Sequence, residues 1–177
     1  MKKKTDNKLS SGTNPPLVSY SWEETADRMA IMDLYAHYVH AVDDHQLDVL
    51  NGIFLPETSF DLGEHGKFVW GNDPENGTQA DYRRNWAKYA VYFHLCGSIR
   101  IDFDSEARTS AHVKSKTINP VGTSNPRGGI DLVVDFVDYT DELVKLGSVY
   151  GGWRIKSRKG VSILLIKDLE PAGKFSG

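Results

Sequence analysis

Cysteine occurs once in this chain of 177 residues, at Cys96, so no disulfide can close within it and nothing in the fold depends on an oxidising compartment. Positive charge is not in excess either. The 21 Lys and Arg residues face 24 Asp and Glu, and the formal charge of -3 leaves no global attraction for nucleic acid. No apolar run approaches the roughly 20 residues that cross a bilayer, so no membrane association is expected. Lys2, Lys3 and Lys4 precede a polar stretch, residues 5–16, rather than the apolar core of a secretory signal. A reducing cytoplasm is therefore the expected setting, and the acceptor-like Asn76-Gly77-Thr78 has no consequence there. A Gly-rich phosphate loop is also lacking, because Gly128-Gly129 and Gly151-Gly152 read as hairpin turns, and no cofactor is expected. His37 and His40 lie one helical turn apart near Asp33, Asp44 and His45, but a second ligand pair is missing. That group reads as a solvated helix face, and no metal is expected.

What is present has a globular balance, 40% hydrophobic and 25% charged residues, and a length suited to one domain. Residues 1–20, rich in Lys, Ser, Asn, Thr and Pro, predict a flexible arm; residues 21–170 predict the domain and residues 171–177 a tail. Ser21 followed by Glu23 and Glu24 supplies a hydroxyl cap and an acidic first turn, and Ile31, Leu34, Tyr35, Tyr38 and Val42 then recur on one helical face. Asp43-Asp44-His45 breaks the pattern, and Leu47, Leu50, Ile53 and Phe54 resume it as a second short helix before Pro56. Residues 58–62 and 67–70 predict a strand pair around Gly63 and Gly66, and residues 78–93 a third helix. Strand-like runs follow at 95–103, 108–118, 130–139, 143–149 and 153–166. Helices first and an antiparallel sheet afterwards is an α+β arrangement, in which helices cover one face of a curved sheet and leave a conical pocket for a small molecule.

The charged and polar residues of that pocket are where function is sought. Asp43 stands at the C-terminal end of the first helix, where the helix dipole disfavours a negative charge by about 0.3 to 1 kcal/mol, at the edge of the buried stripe. A turn or capping role accounts for it; so does a carboxylate turned into the pocket. His94 opens the 95–103 run, where it either satisfies a backbone carbonyl or, if the fold brings it to Asp43, forms a proton-transfer dyad. Tyr38 packs in the core or directs its phenol at a substrate oxygen. Arg158, between Lys156 and Lys159, reads first as an exposed strand end and second as a pocket cation. Cys96 lacks an activating neighbour and reads as a small buried residue.

Arg28-Met29-Ala30-Ile31-Met32-Asp33-Leu34-Tyr35 with Val42-Asp43, His94 ahead of Ile99-Arg100-Ile101-Asp102-Phe103, and Gly151-Gly152-Trp153-Arg154-Ile155, in that order, resemble the SnoaL-like branch of the NTF2-like superfamily over roughly residues 22–165. The resemblance implies an NTF2-like cone, with N-terminal helices packed on a strongly curved mixed, mainly antiparallel sheet. Asp43 and His94 fall where scytalone dehydratase, bile-acid 7α-dehydratase and hexachlorocyclohexane dehydrochlorinase keep their catalytic Asp and His. Tyr38 matches a catalytic tyrosine of the bile-acid enzyme, and Arg158 the pocket arginine of the dehydrochlorinase. His112 is the nearest candidate for a further polar group of those enzymes, although its offset from His94 differs. Tyr35, Trp70, Trp86, Tyr89, Phe136 and Tyr139 are expected to shape the substrate wall with His112. The resemblance thus implies a cofactor-independent lyase acting on a small hydroxylated, largely apolar cyclic molecule. An isomerase or cyclase using the same dyad and a noncatalytic ligand-binding protein are the alternatives. It also implies a homo-oligomer, trimer or dimer.

Overall fold

The computed structural model describes residues 19–147 and 149–169; the expected tail, and the expected arm apart from Ser19 and Tyr20, lie outside them. Helix α1 (Trp22–Asp43) begins at its hydroxyl cap, with Ser21 Oγ accepting the Glu24 N–H at 3.1 Å. It buries Ile31, Leu34, Tyr35, Tyr38 and Val42 against the sheet. Helix α2 (Leu47–Ile53) leads directly into strand β1 (Phe54–Asp61), and a 3-10 turn at Gly63–His65 returns the chain as β2 (Lys67–Val69). Helix α3 (Gly77–Trp86) is followed by β3 (Val91–Tyr92), β4 (Leu95–Phe103), β5 (Ser110–Ser124), β6 (Ile130–Lys145) and β7 (Trp153–Leu169). The seven strands form one strongly curled mixed sheet in the order β2-β1-β7-β6-β5-β3, with β4 also paired to β5; only β1 and β7 run parallel. Among the described residues no helix is long and apolar enough to cross a membrane.

Two expectations about elements are corrected. The third helix stops at Trp86 instead of running to residue 93, because the chain turns there so that the Ala90 N–H bonds to Gly122 O at 2.8 Å and Tyr92 pairs with Val121 on the β5 edge. The runs at 130–139 and 143–149 are one strand as far as Lys145. Thr140-Asp141-Glu142 looks like a polar break, yet Asp141 points inward, fully buried, and its charge is met by Arg158 across the β6–β7 ladder.

Strand β5 alternates by side. Ala111, Val113, Ser115, Thr117 and Asn119 are buried on the concave face, whereas His112, Lys114, Lys116 and Ile118 are exposed on the convex one. Strand β4 changes phase midway. Cys96 pairs with Thr117 and Ile101 with Val113, so residues 98 and 99 together oppose Ser115 in a bulge, and Ser98 takes a φ of 51° to make it. Because of that extra residue both His94-Cys96 and Ile99-Ile101-Phe103 turn to the concave side.

At the far end of α1, buried Asp27 ties helix to sheet. Its carboxylate accepts Lys145 Nζ at 2.5 Å, Arg108 Nε at 3.0 Å and Trp153 Nε1 at 3.2 Å. Burial pushes this carboxyl up, but the three donors outweigh it and hold Asp27 below the usual carboxylate range.

Candidate active site

The last residue of α1 turns its carboxylate across to the start of β4. Asp43 Oδ1 lies 2.7 Å from His94 Nδ1, and Asp43 Oδ2 accepts the His94 backbone N–H at 3.0 Å. One carboxylate therefore fixes both the ring and the main chain of the same residue. With Nδ1 as the donor to Asp43, the lone pair of the ring lies on Nε2, which is left to accept a proton. A groove of about 320 Å³ between α1 and β4, bordered by Met32, Val39, Phe93 and Ile99, reaches both dyad residues. Tyr92, on the concave side, sets its ring edge-on to His94 at 5.0 Å.

Deeper in the cone stands an ion pair. Arg158 Nε and Nη2 donate to Asp141 Oδ1 and Oδ2 at 3.0 and 2.7 Å, and Tyr35 donates its hydroxyl to Asp141 Oδ2 at 2.5 Å; all three side chains are buried. Burial works against the guanidinium charge, but Asp141 more than offsets it and holds Arg158 well above its ordinary range. Its charge is permanent. Aromatic rings surround the guanidinium, with Tyr38 at 4.3 Å and Tyr139 at 4.7 Å from ring centroid to the guanidinium carbon. Gly160, paired opposite Tyr139, makes room for this: a β-carbon there would come within 2.8 Å of the Tyr139 ring.

Four phenols converge on this region. Burial pushes the hydroxyls of Tyr38, Tyr82, Tyr92 and Tyr139 above the ordinary tyrosine range, and their proximity to one another adds to the effect in Tyr82, Tyr92 and Tyr139. They stay protonated and able to donate. Tyr82 reaches the group from α3, its ring edge-on to Trp70 and Trp86.

The residues singled out from sequence divide into those brought together and those set apart. Asp43, His94, Tyr38, Arg158, Tyr35 and Tyr139 occupy the concave side around the dyad and the ion pair. Arg158 is no exposed strand end, because the β6–β7 register places it opposite Asp141 with its side chain inward. Trp86, buried in the core, stacks on His45 at 4.9 Å, and Tyr89 on Tyr92 at 5.2 Å. Trp70 is packed in the core with its Nε1–H bonded to Asn51 at 2.8 Å. Two expectations fail. His112 falls on the convex face, where it lies 3.2 Å from Asp104, and Phe136 lines a convex-side recess with Leu95, Ile118 and Ile163. Strand alternation excludes both from the cone. Asp141, Tyr82, Tyr92, Ser115, Thr117 and Asn119 were not singled out. A period of two in Val137, Tyr139, Asp141, Leu143 was the available signal for the first, and the same period in 111–119 for the last three. Among the described residues no group of three or more His, Cys, Asp or Glu is placed to hold a metal ion.

A family profile described as SnoaL-like domain matches residues 23–159. The fold is also that of known structures. A hexachlorocyclohexane dehydrochlorinase of type 2 (LinA) superimposes with a TM-score of 0.69 at 20% identity, covering 88% of this chain and 97% of its own. A scytalone dehydratase-like protein from Novosphingobium aromaticivorans gives 0.68 at 18% identity, with coverages of 84% and 91%. A protein from Kribbella flavida, Kfla4162, gives 0.69 at 15%, with 81% and 95% covered. No curated protein sequence matches the chain. At these identities the likeness is one of fold.

Proposed function

Because the chain belongs to the SnoaL-like domain family, we propose that it is a cofactor-independent lyase that removes water from a small hydroxylated cyclic ketone by proton transfer at His94. The observation that carries this reading is the double hold of Asp43 on His94, which directs the ring's basic Nε2 away from the carboxylate. Nε2 takes the proton from the carbon beside the carbonyl, and the carboxylate stabilises the imidazolium that forms. The electron pair moves toward the carbonyl oxygen, where neutral Tyr38 and the Arg158 guanidinium beside it supply donors to the developing charge. As the enolate collapses, the carbon–oxygen bond at the next carbon breaks; hydroxide leaves and departs as water with the proton that His94 had taken. Atoms balance without an oxidant or a metal. The fold relatives include a dehydrochlorinase and a scytalone dehydratase-like protein, which supports an elimination on this scaffold.

Incubation of hydroxylated cyclic ketones with the protein, read by mass spectrometry, tests the proposal. Loss of one water is expected, and His94→Ala and Asp43→Asn each lower the rate by about 10²- to 10⁴-fold. Full turnover in both variants defeats the mechanism; a product of unchanged mass that still requires His94 makes the reaction an isomerisation instead.

A further inference from the structure

Helix α1 carries a second apolar line beside the one it buries. Met32, Ala36 and Val39 recur at spacings of four and three, and Asp43 follows four residues later on the same line. Eleven residues of helix make that line about 16 Å long. It forms one wall of the groove of about 320 Å³ that reaches the dyad; Phe93, Leu95 and Ile99 form the other, at the edge of β4 that no described strand covers. The dyad stands at one end. Met32, Phe93 and Leu95 are 54%, 51% and 56% exposed, so large apolar side chains from both walls meet water around a single cleft. One exposed apolar residue is ordinary, whereas a contiguous set along a cleft marks a binding surface.

The lining states the chemistry of what binds. No Lys or Arg borders the groove and its one carboxylate is Asp43, so an anionic ligand finds no such cation there and meets a repulsion at the dyad end. Tyr35 borders it too, but gives its hydroxyl to Asp141. Away from the dyad and His40 the walls are therefore largely hydrocarbon. A volume of about 320 Å³ drawn out over about 16 Å leaves a cross-section on the order of 20 Å², the width of one hydrocarbon chain and too narrow for a ring system.

We propose that the groove between α1 and β4 is a subsite for an unbranched, uncharged hydrocarbon chain carried by the substrate, with the carbonyl-bearing ring at the dyad and the chain laid along α1 toward Met32. The proposal rests on the proton-transfer reading for the place of the ring; the chain is an addition that reading does not require. Ala36 then sets the reach, because its small side chain leaves the middle of the groove open and a larger one would block it.

Equilibrium binding tests this without turnover. Isothermal titration calorimetry of the full chain with 2-methyl-, 2-butyl- and 2-octylcyclohexanone should show affinity rising by about twofold or more for each added methylene. Ala36→Phe, at an exposed position, should flatten the rise, and Phe93→Ser on the opposite wall should reduce it; either suffices should the other fail to fold. Met29→Ala, at an exposed apolar residue of α1 outside the groove, should leave the rise unchanged. Octanoate, with a comparable chain and a charged head, should bind at least about tenfold more weakly than 2-octylcyclohexanone. Equal affinities along the ketone series, or a rise that survives both groove variants, overturns the subsite, and octanoate binding as tightly as the octyl ketone overturns its restriction to uncharged chains. A protein that shows the rise but removes no water keeps the subsite and loses the His94 mechanism; one that removes water from ring ketones without the rise does the reverse.

Discussion

Asp43 uses both carboxylate oxygens on one residue, whereas Asp141 divides its own between Arg158 and Tyr35, and the difference sets what each can do. Asp43 is partly exposed and holds a ring whose far nitrogen remains free, an arrangement able to accept and return a proton. Asp141 is sealed, and its partners are donors with permanently held protons; it stabilises a charge and positions it. The consequence for stability is lopsided. Replacing Asp141 with Ala leaves the Arg158 guanidinium buried without a counter-charge and should lower unfolding free energy by about 3 to 5 kcal/mol in urea titration. Adding Arg158→Met to that variant removes the stranded charge and should recover most of the loss, although a site that depends on the guanidinium would not regain activity. A double variant no more stable than Asp141→Ala would mean that the pair is held by something other than charge.

Elements position these residues through small departures from regularity. The β4 bulge is the clearest case, since without residues 98 and 99 sharing one partner, His94 and Ile101 would face opposite sides. Ser98 adopts left-handed backbone there, at a φ of 51°, which a residue with a side chain disfavours by about 1 to 2 kcal/mol. Ser98→Gly should therefore raise thermal stability by up to about 1 kcal/mol and leave the dyad geometry intact, whereas Ser98→Val should lower stability and loosen the hold on His94. Calorimetric unfolding of both variants checks the sign. The bulge also explains how much of the site could be read before the fold was known. The helical stripe of α1 and the cap at Ser21 depend on local periodicity and spacing, and these were legible, whereas the pairing of Asp43 with His94, 51 residues apart, was legible only through the resemblance to the SnoaL-like family. The phase change in β4, the inward turn of Asp141 and the burial of Arg158 depend on cross-strand register, which a single strand's sequence does not carry. Thr140-Asp141-Glu142 looked like a break because three polar residues in a row usually reach water. Here the middle one meets Arg158 instead.

At the scale of the whole molecule, the cone gathers aromatic hydroxyls into its buried interior. Burial pushes Tyr35, Tyr38, Tyr82, Tyr92 and Tyr139 above the ordinary tyrosine range, the charge of Asp141 adding to this at Tyr35, and that raises a linkage argument with a definite sign. In the unfolded chain these phenols ionise near pH 10, whereas the folded protein keeps them protonated to higher pH. A raised folded value gives stability that is fully present below about pH 10 and is lost as pH climbs toward the folded values, because only the unfolded state can release the protons. Five groups held in this way make the loss steep, on the order of 7 kcal/mol per pH unit while all five remain neutral in the fold. Tyrosinate absorbance should consequently rise in one cooperative step that coincides with the loss of helical circular dichroism. A gradual rise with the circular dichroism unchanged would mean that water already reaches these hydroxyls, and that the interior is a hydrated channel rather than a dry cavity able to strengthen the hydrogen bonds its chemistry would use.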